Sequence, residues 1–418
     1  MWLPPSSRYV LLLGSHFPLR ERALVGIRRH LPHHPIVDSA LAHTEPRMRS
    51  YDHALPASPL VPADVLAAVR DLERRTGSRP AAAVPFSEMT VDVANVVAEA
   101  YDLIRLPEPA LARDKLAMKE ALARHGLPVA AWVVITGAAD LPKAVAAFGF
   151  PFVLKANALA GSEGVLFVAG PDDLGPAEQS VRQALTKQER LFPQHPVRMF
   201  AEPYANYPEY SVEVLNMNGR SVVLSVTDKA VTPLPHFSEV GQSVPGIHAT
   251  DATVREMAVE ACRALKIGAG VAHVEFRGPL IGEVAARTPA DAILDQFERA
   301  TGLNAYGWHA AAYLGEPGPL PEVPPARGTS AVAFLKAPPG IVTEVRMPTQ
   351  WPEGMVRLEV TAKPGAVSRP PSDNSAREGL LEMWWLGRFF THKPPTEHDE
   401  LARRLSAEIF VTAPHEQP

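Results

Sequence analysis

The chain holds a single cysteine, Cys262, among 418 residues, so neither a disulfide framework nor a cysteine zinc site can form within it. That cysteine sits in the run Ala258–Leu265, which reads as a helix, and a free cysteine there is expected in the core. Long apolar runs are absent too. The opening run Tyr9–Leu13 is too short for a signal peptide's apolar region and far too short to span a bilayer. A cytoplasmic protein with no membrane partner is the expectation. Positive charge is not in excess: the net charge of −5 argues against a nucleic-acid partner, which calls for a basic patch. No fixed-period repeat occurs, which excludes a solenoid. No Gly-x-Gly-x-x-Gly follows the first strand-like run and no glycine turn ends in Gly-Lys-Ser/Thr, so neither a dinucleotide fingerprint nor a P-loop is present.

What remains is ordinary globular composition, 46% hydrophobic and 21% charged. A chain of this length exceeds one ordinary core, and about two to three packed units are expected. The 43 prolines cluster at Leu3–Pro5, Leu55–Pro62, Pro317–Pro325 and Pro370–Pro371, where they punctuate loops and boundaries.

The patterning predicts an α/β unit over residues 1–110, with strands Tyr9–Leu13 and Ala81–Val84 and helices Arg20–His30 and Thr90–Tyr101. A second, mixed α+β unit spans 111–320. There Asp114 can cap a helix that stops at Gly126. Strands follow at Trp132–Thr136, Pro151–Ala156 and Gly164–Ala169, with helices at Leu141–Phe148 and near Gln179–Glu189. Further strands are expected at Arg198–Glu202, Tyr210–Leu215 and Ser221–Thr227, the last two joined by Asn218-Gly219, a strong two-residue hairpin turn. A helix at Thr253–Leu265 precedes the hairpin Val271–Arg287. Residues 321–418 form a third stretch, with strands Ser330–Leu335 and Val356–Thr361 and a closing helix His398–Ile409. No chemistry is legible there.

The hairpin carries the strongest chemical signal. Side chains alternate along a strand, so His273 and Glu275 share one face, as do Glu283, Ala285 and Arg287. A three-residue connection Gly278-Pro279-Leu280 would set Glu275 opposite Glu283. Like charges directly opposite are destabilising unless a cation lies between them. Two carboxylates completed by phosphate and water make a usual magnesium arrangement, and Arg287 could grip phosphate oxygens beyond them. On spacing alone the alternative, two glutamates on a solvated face, is equally open.

Three further features point to phosphate. Lys115 falls on the first position of its helix, where the macrodipole disfavours a cation and a bound anion would relieve it; a solvated surface lysine is the competing reading. Lys155 ends an apolar strand, where a charge needs a partner. The small-residue turn Ala158–Val165, with Gly161, Ser162 and Gly164, could bring backbone N–H groups and a hydroxyl close to phosphates, or simply turn the chain. Glu202-Pro-Tyr204 through Glu209 could hold an adenine edge or ribose hydroxyls, or be a polar loop.

Taken in order, Arg-Asp-Lys115, Phe-Val-Leu-Lys155, the Gly161–Val165 loop, Glu202-Pro-Tyr, Glu209-Tyr-Ser-Val-Glu213, Thr-Asp-Lys229 and the Glu275/Glu283/Arg287 hairpin resemble the ATP-grasp superfamily from about Arg113 to Tyr306. Residues 1–110 resemble the Rossmann-like domain that precedes such a fold. The last stretch resembles the C-terminal subdomain of L-amino-acid ligases of the bacilysin-synthetase type. The resemblance implies a lid over about 131–199 and an enzyme that binds ATP and magnesium, with manganese as a substitute. Lys115, Lys155 and the Gly161–Gly164 loop would meet the phosphates, Glu202 and Tyr204 the adenine, and Glu209 the ribose, with Lys229 also at the nucleotide. Glu275 and Glu283 would hold the metal. Arg287 would stabilise the transferring phosphoryl group. Glu239, in His236-Phe-Ser-Glu-Val-Gly-Gln242, would approach the substrate amine. The implied partners are a small carboxylate and an amine, in all expectation amino acids, and the commonest assembly is a homodimer. Two positions depart from the family pattern. Ala285 stands where many members carry a metal-binding asparagine, and Gln242 where dipeptide ligases commonly carry histidine. The rival readings are an ATP-grasp carboxylase or peptide-tailoring ligase, and a non-catalytic nucleotide-binding regulator.

Overall fold

A computed structural model describes residues 4–16, 20, 22–40, 50–191, 197–369, 377–389 and 395–414. Near the N-terminus, four parallel strands lie in the order His53–Leu55, Ile36–Ser39, Arg8–Leu13, Arg79–Pro85. The strand Arg8–Leu13 is buried on both faces, as parallel strands are. Its alternate residues enter two different cores. Tyr9, Leu11 and Leu13 pack with Val65, Val69 and Val97 of helices Pro62–Thr76 and Val91–Ala100, while Val10 and Leu12 pack with Ile27 and Tyr306 on the other side. Tyr306 belongs to the helix Ala305–Leu314, so a distant segment covers the open face of the first sheet. Two short strands and the helix Pro62–Thr76 go beyond the elements read from the pattern. That helix has proline in its first turn and ends on Gly77 at φ 72, the usual start and stop signals.

The segment proposed as a lid folds on its own small sheet, ordered Val133–Ile135, Met199–Pro203, Phe152–Ala156, Val165–Val168 and antiparallel throughout. Helices Leu141–Phe148 and Leu174–Leu191 cover one face through Leu141, Ala144, Ala177 and Val181.

An eight-stranded antiparallel sheet organises the rest. Its order is Leu280–Ala285, Gly270–Arg277, Glu209–Met217, Arg220–Val231, Glu239–Val244, Gly328–Leu335, Gly379–Leu386, Met355–Val360. Strands from both sides of Pro317–Pro325 therefore share one ladder. Asn218 and Gly219 take φ 54 and 73, the two left-handed residues that a type I′ hairpin turn demands. A three-stranded sheet, Val367–Ser368, Gly340–Val345 and Phe410–Ala413, and the helix Pro395–Ile409 complete the C-terminal part. The proline cluster at 370–371 lies outside the described residues.

The hairpin differs from expectation in one detail. Arg277 pairs with Leu280 across a two-residue turn, and the register then shifts between Glu275 and Phe276, leaving Gly282 as an extra residue. Turn and bulge together restore the pairing of Glu275 with Glu283. Ala272, Val274 and Phe276 face the core, so the opposite face is left for chemistry.

Candidate active site

The small four-stranded sheet and the large sheet enclose a cavity of about 200 Å³. Lys115, Lys155, Gly161, Ser162, Glu202, Tyr204, Glu209, Lys229, Glu239, Glu275, Glu283 and Arg287 all line it, although the first and last lie 172 positions apart in sequence. Gly164 and Gln242 do not line it. Gly164, at φ 71, lies beneath the turn, where an added Cβ would come within 3.0 Å of the Ala156 Cβ and 3.1 Å of the Ala184 Cβ. Its glycine identity is set by conformation and packing.

Each lysine meets a carboxylate. The Asp114 side chain caps its helix by accepting from the Leu116 amide at 2.9 Å. This sets Lys115 on the first turn, where its ammonium donates to the Leu159 carbonyl at 2.5 Å and to Glu283 at 3.0 Å. The adverse helix dipole is thus offset by a full negative charge. Lys155 pairs with Glu202, and Lys119 reaches the same carboxylate at 2.9 Å. Burial alone would raise the Glu202 carboxyl, but Lys155 and Lys119 outweigh it and hold it down at about 2. Lys119 also lies 5.8 Å from the Trp132 ring centroid. This lysine escaped the sequence reading because a charge inside an amphipathic helix usually marks the solvated face.

Lys229 is buried against Glu275 at 2.5 Å and Glu239 at 3.5 Å. Burial pushes its ammonium down, and the carboxylates of Glu239 and Glu275 more than reverse that. Behind Glu275 runs a chain of buried groups: His273 joins Glu275 at 3.0 Å and Glu213 at 2.7 Å. Glu213 in turn accepts from Ser211, Ser225 and Thr227 at 2.9–3.0 Å. Burial raises the Glu275 carboxyl, yet Lys229 and His273 drive it well below the usual carboxylate range. The repulsion expected between Glu275 and Glu283 is therefore relieved here by one lysine on each. Among the described residues no group of three or more His, Cys, Asp or Glu side chains is assembled to hold a metal ion. The donors across the ladder are hard carboxylate oxygens, which suit magnesium when phosphate and water complete the shell.

The turn over the cavity is tied down from the far side, since the Ser162 hydroxyl donates to the Phe237 carbonyl at 2.9 Å. Tyr204 stands against Phe167, with ring centroids 5.0 Å apart, and faces Phe237 at 6.3 Å. Glu209 pairs with Arg277.

Arg287 is held from a unit the sequence reading had not joined to it. Its Nε donates to Glu88 at 3.1 Å, and Arg113 donates to the other oxygen of that carboxylate at 2.5 Å. Glu88 follows the parallel strand Arg79–Pro85 in a turn where Ser87 and Thr90 cap each other. Burial raises its carboxyl, and Arg113 and Arg287 together bring it below the ordinary value. A signal was available: the carboxyl end of a parallel strand is where open α/β sheets place their ligand sites.

The far end of the cavity is assembled from three segments. Glu239 opens its strand, and burial, reinforced by Asp291 and Glu209, raises its carboxyl to about 7 against the pull of Lys229 and Arg377. Asp291 follows Arg287 by four residues and holds φ 62, with Ala292 next to it at φ 61. Gln242 donates its side-chain amide to the Asp291 carbonyl. Arg377, from the stretch where no chemistry was legible, donates to Asp291 Oδ1 at 2.7 Å and to the Glu239 carbonyl at 3.0 Å.

A small antiparallel sheet closing over the face of a larger one, with cations and carboxylates between them, is the ATP-grasp fold. Residues 148–296 match the model of the ATP-grasp domain, so the chain carries that domain. The chain is 24% identical over 267 residues to an L-arginine-specific L-amino acid ligase of Bacillus subtilis, covering 61% of this chain and 62% of the relative. It is 27% identical over 209 residues to an uncharacterized protein of Sinorhizobium fredii, covering 49% of this chain and 42% of that one. The matched segments thus span about half the length of these curated relatives. Among solved structures, the L-amino acid ligase of Bacillus licheniformis superposes with a TM-score of 0.77 at 18% identity, covering 98% of this chain and 99% of that chain.

Proposed function

We propose that this protein is an ATP-dependent carboxylate–amine ligase that joins L-amino acids into a dipeptide or natural-product precursor through an acyl phosphate. The observation that carries the reading is the meeting of Lys115, Lys155, Lys229 and Arg287 with Glu275 and Glu283 in one cavity beneath residues 131–199, which act as its lid. A carboxylate oxygen attacks the γ-phosphorus of ATP, the bond to the ADP oxygen breaks, and an acyl phosphate forms. The amine nitrogen then attacks the acyl carbon, the C–O bond to phosphate breaks, and inorganic phosphate leaves.

In this reading Lys115 exchanges Glu283 for phosphate oxygens, Lys155 meets phosphate while Glu202 still steadies it, and Tyr204 borders the adenine. Glu202 keeps Lys119 and Lys155 aligned at the nucleotide, and Glu209 meets the ribose. Glu275 and Glu283 would hold the magnesium ion, which would supply charge neutralisation for the phosphates. Arg287, fixed by Glu88, presents its guanidinium to the moving phosphoryl group, and such preorganised charge is usually the largest single contribution to catalysis. Glu239, with its carboxyl raised to about 7, can accept the proton the attacking ammonium must lose near neutral pH. The lid keeps water from the acyl phosphate.

The test is phosphate release from magnesium-ATP across pairwise mixtures of amino acids, with products weighed by mass spectrometry. Release that needs two amino acids, with a product mass equal to their sum less one water, supports the reading. Phosphate release with bicarbonate alone, or none with any pair, overturns amino-acid ligation.

A further inference from the structure

We infer that Arg377, supplied by the C-terminal part of the chain, is the positioning residue for the amine-side wall of the cavity. The inference rests on the ligase reading above and extends it to a residue outside the ATP-grasp match. One guanidinium holds two segments that sequence separates by half a hundred residues: Nη1 grips the Asp291 carboxylate at 2.7 Å and Nη2 the Glu239 backbone carbonyl at 3.0 Å. Both Asp291 and Glu239 line the cavity. The guanidinium carbon sits over the Phe334 ring, 3.5 Å from its centroid, so its position is set in part by the strand Gly328–Leu335. That strand pairs with Glu239–Val244 on one side and Gly379–Leu386 on the other, so the large sheet carries Arg377 to the site.

The wall it holds is strained. Asp291 and Ala292 are consecutive non-glycine residues in the left-handed region, at φ 62 and 61. Such conformations persist only where surroundings over-determine them, and they cluster at functional sites. Here the restraints are Arg377 on the carboxylate and Gln242 on the carbonyl. The bend brings the Asp291 side chain to the cavity four residues past Arg287, and the same arginine fixes the strand end that bears Glu239. Arg377 thus sets the distance between the phosphoryl-binding arginine and the group that meets the amine, without touching substrate itself.

The experiment compares Arg377→Ala with wild type in two readouts. The first is steady-state kinetics with the amino-acid pair selected by the ligation panel, alongside binding of a non-hydrolysable magnesium-ATP analogue. The second needs no substrate: hydrogen exchange of the segment 288–293, with the melting temperature as control. We expect KM for the amine to rise roughly ten- to hundredfold, the scale of a misplaced site, with nucleotide affinity unchanged. Exchange at 288–293 should quicken while the melting temperature stays near wild type. Unchanged exchange overturns the inference, as does nucleotide affinity that falls in parallel with amine KM. A wild-type enzyme with no turnover on any pair would remove the ligase reading, and exchange would still decide whether Arg377 holds the wall.

Discussion

The two ends of the cavity are built differently. At the end we propose for the nucleotide, Lys115, Lys155, Glu202 and the Gly161–Gly164 turn come from within 90 residues, on neighbouring strands and one helix start. Lys155 meets Glu202 across neighbouring strands of the small sheet, whereas Lys115 reaches Glu283 on the hairpin of the large sheet. At the end we propose for the acceptor, Glu239, Asp291 and Arg377 come from three distant segments that Arg377 bridges, and Glu88 reaches Arg287 beside them from a fourth. The first end is specified by local pattern. The second exists only once the N-terminal sheet, the large sheet and the C-terminal strands have packed together.

Arg287 stands where the two ends meet, and its loss should have the largest effect. Arg287→Ala is expected to lower kcat on the order of 10²–10³-fold, as removal of a preorganised charge does, with ATP affinity changed little. Single-turnover phosphate release with a parallel ATP-binding titration checks this; unchanged turnover would remove Arg287 from the chemistry.

The end of the cavity at Lys119 and Lys155 can be probed through its buried carboxylate. Glu202 in the folded protein sits at about 2, below the ordinary glutamate value. A depressed carboxylate contributes stability that is fully present above its unfolded value and lost as pH falls towards the folded one. Wild type should therefore lose stability between about pH 5 and pH 2 more steeply than Glu202→Gln. At neutral pH that variant leaves Lys119 and Lys155 without their anion and should cost about 3 kcal/mol, the low end for breaking a buried pair. Urea titrations across pH measure both, and parallel pH profiles would show that Glu202 is not held by its lysines.

The smallest effect tests whether the two ends are separable. Gly164→Ala places a Cβ at φ 71 against Ala156 and Ala184, costing about 1–2 kcal/mol for the left-handed conformation. The damage should fall on lid stability and ATP affinity and spare KM for the amine. Equal losses at both would show that the lid turn and the acceptor wall move together.

How much could be read in advance follows the same division. The helix at Lys115 was legible because Asp114 and Gly126 mark its ends, and the strand Phe152–Ala156 because an apolar run stops at a charge. Glu88 was not, since a lone glutamate after a strand carries no sign of which arginine will meet it. Arg377 was further from view, in a region whose strands Gly340–Val345 and Gly379–Leu386 lack clear alternation because they lie partly covered on both faces. The opposition of Glu275 and Glu283 was read correctly through a different loop, a three-residue connection in place of a two-residue turn and a bulge.

The sequence by itself determined the local elements, the turn at Asn218-Gly219 and the places of Lys115 and Lys155 at a helix start and a strand end. Periodicity, caps and turn chemistry act over a few residues and leave their mark in order along the chain. Tertiary structure alone decided which carboxylate each lysine meets, that Glu88 braces Arg287, and that Arg377 holds Asp291 and Glu239 in one wall. Those pairings depend on distances between segments up to 200 residues apart, and side-chain charge has no periodicity from which such distances can be read.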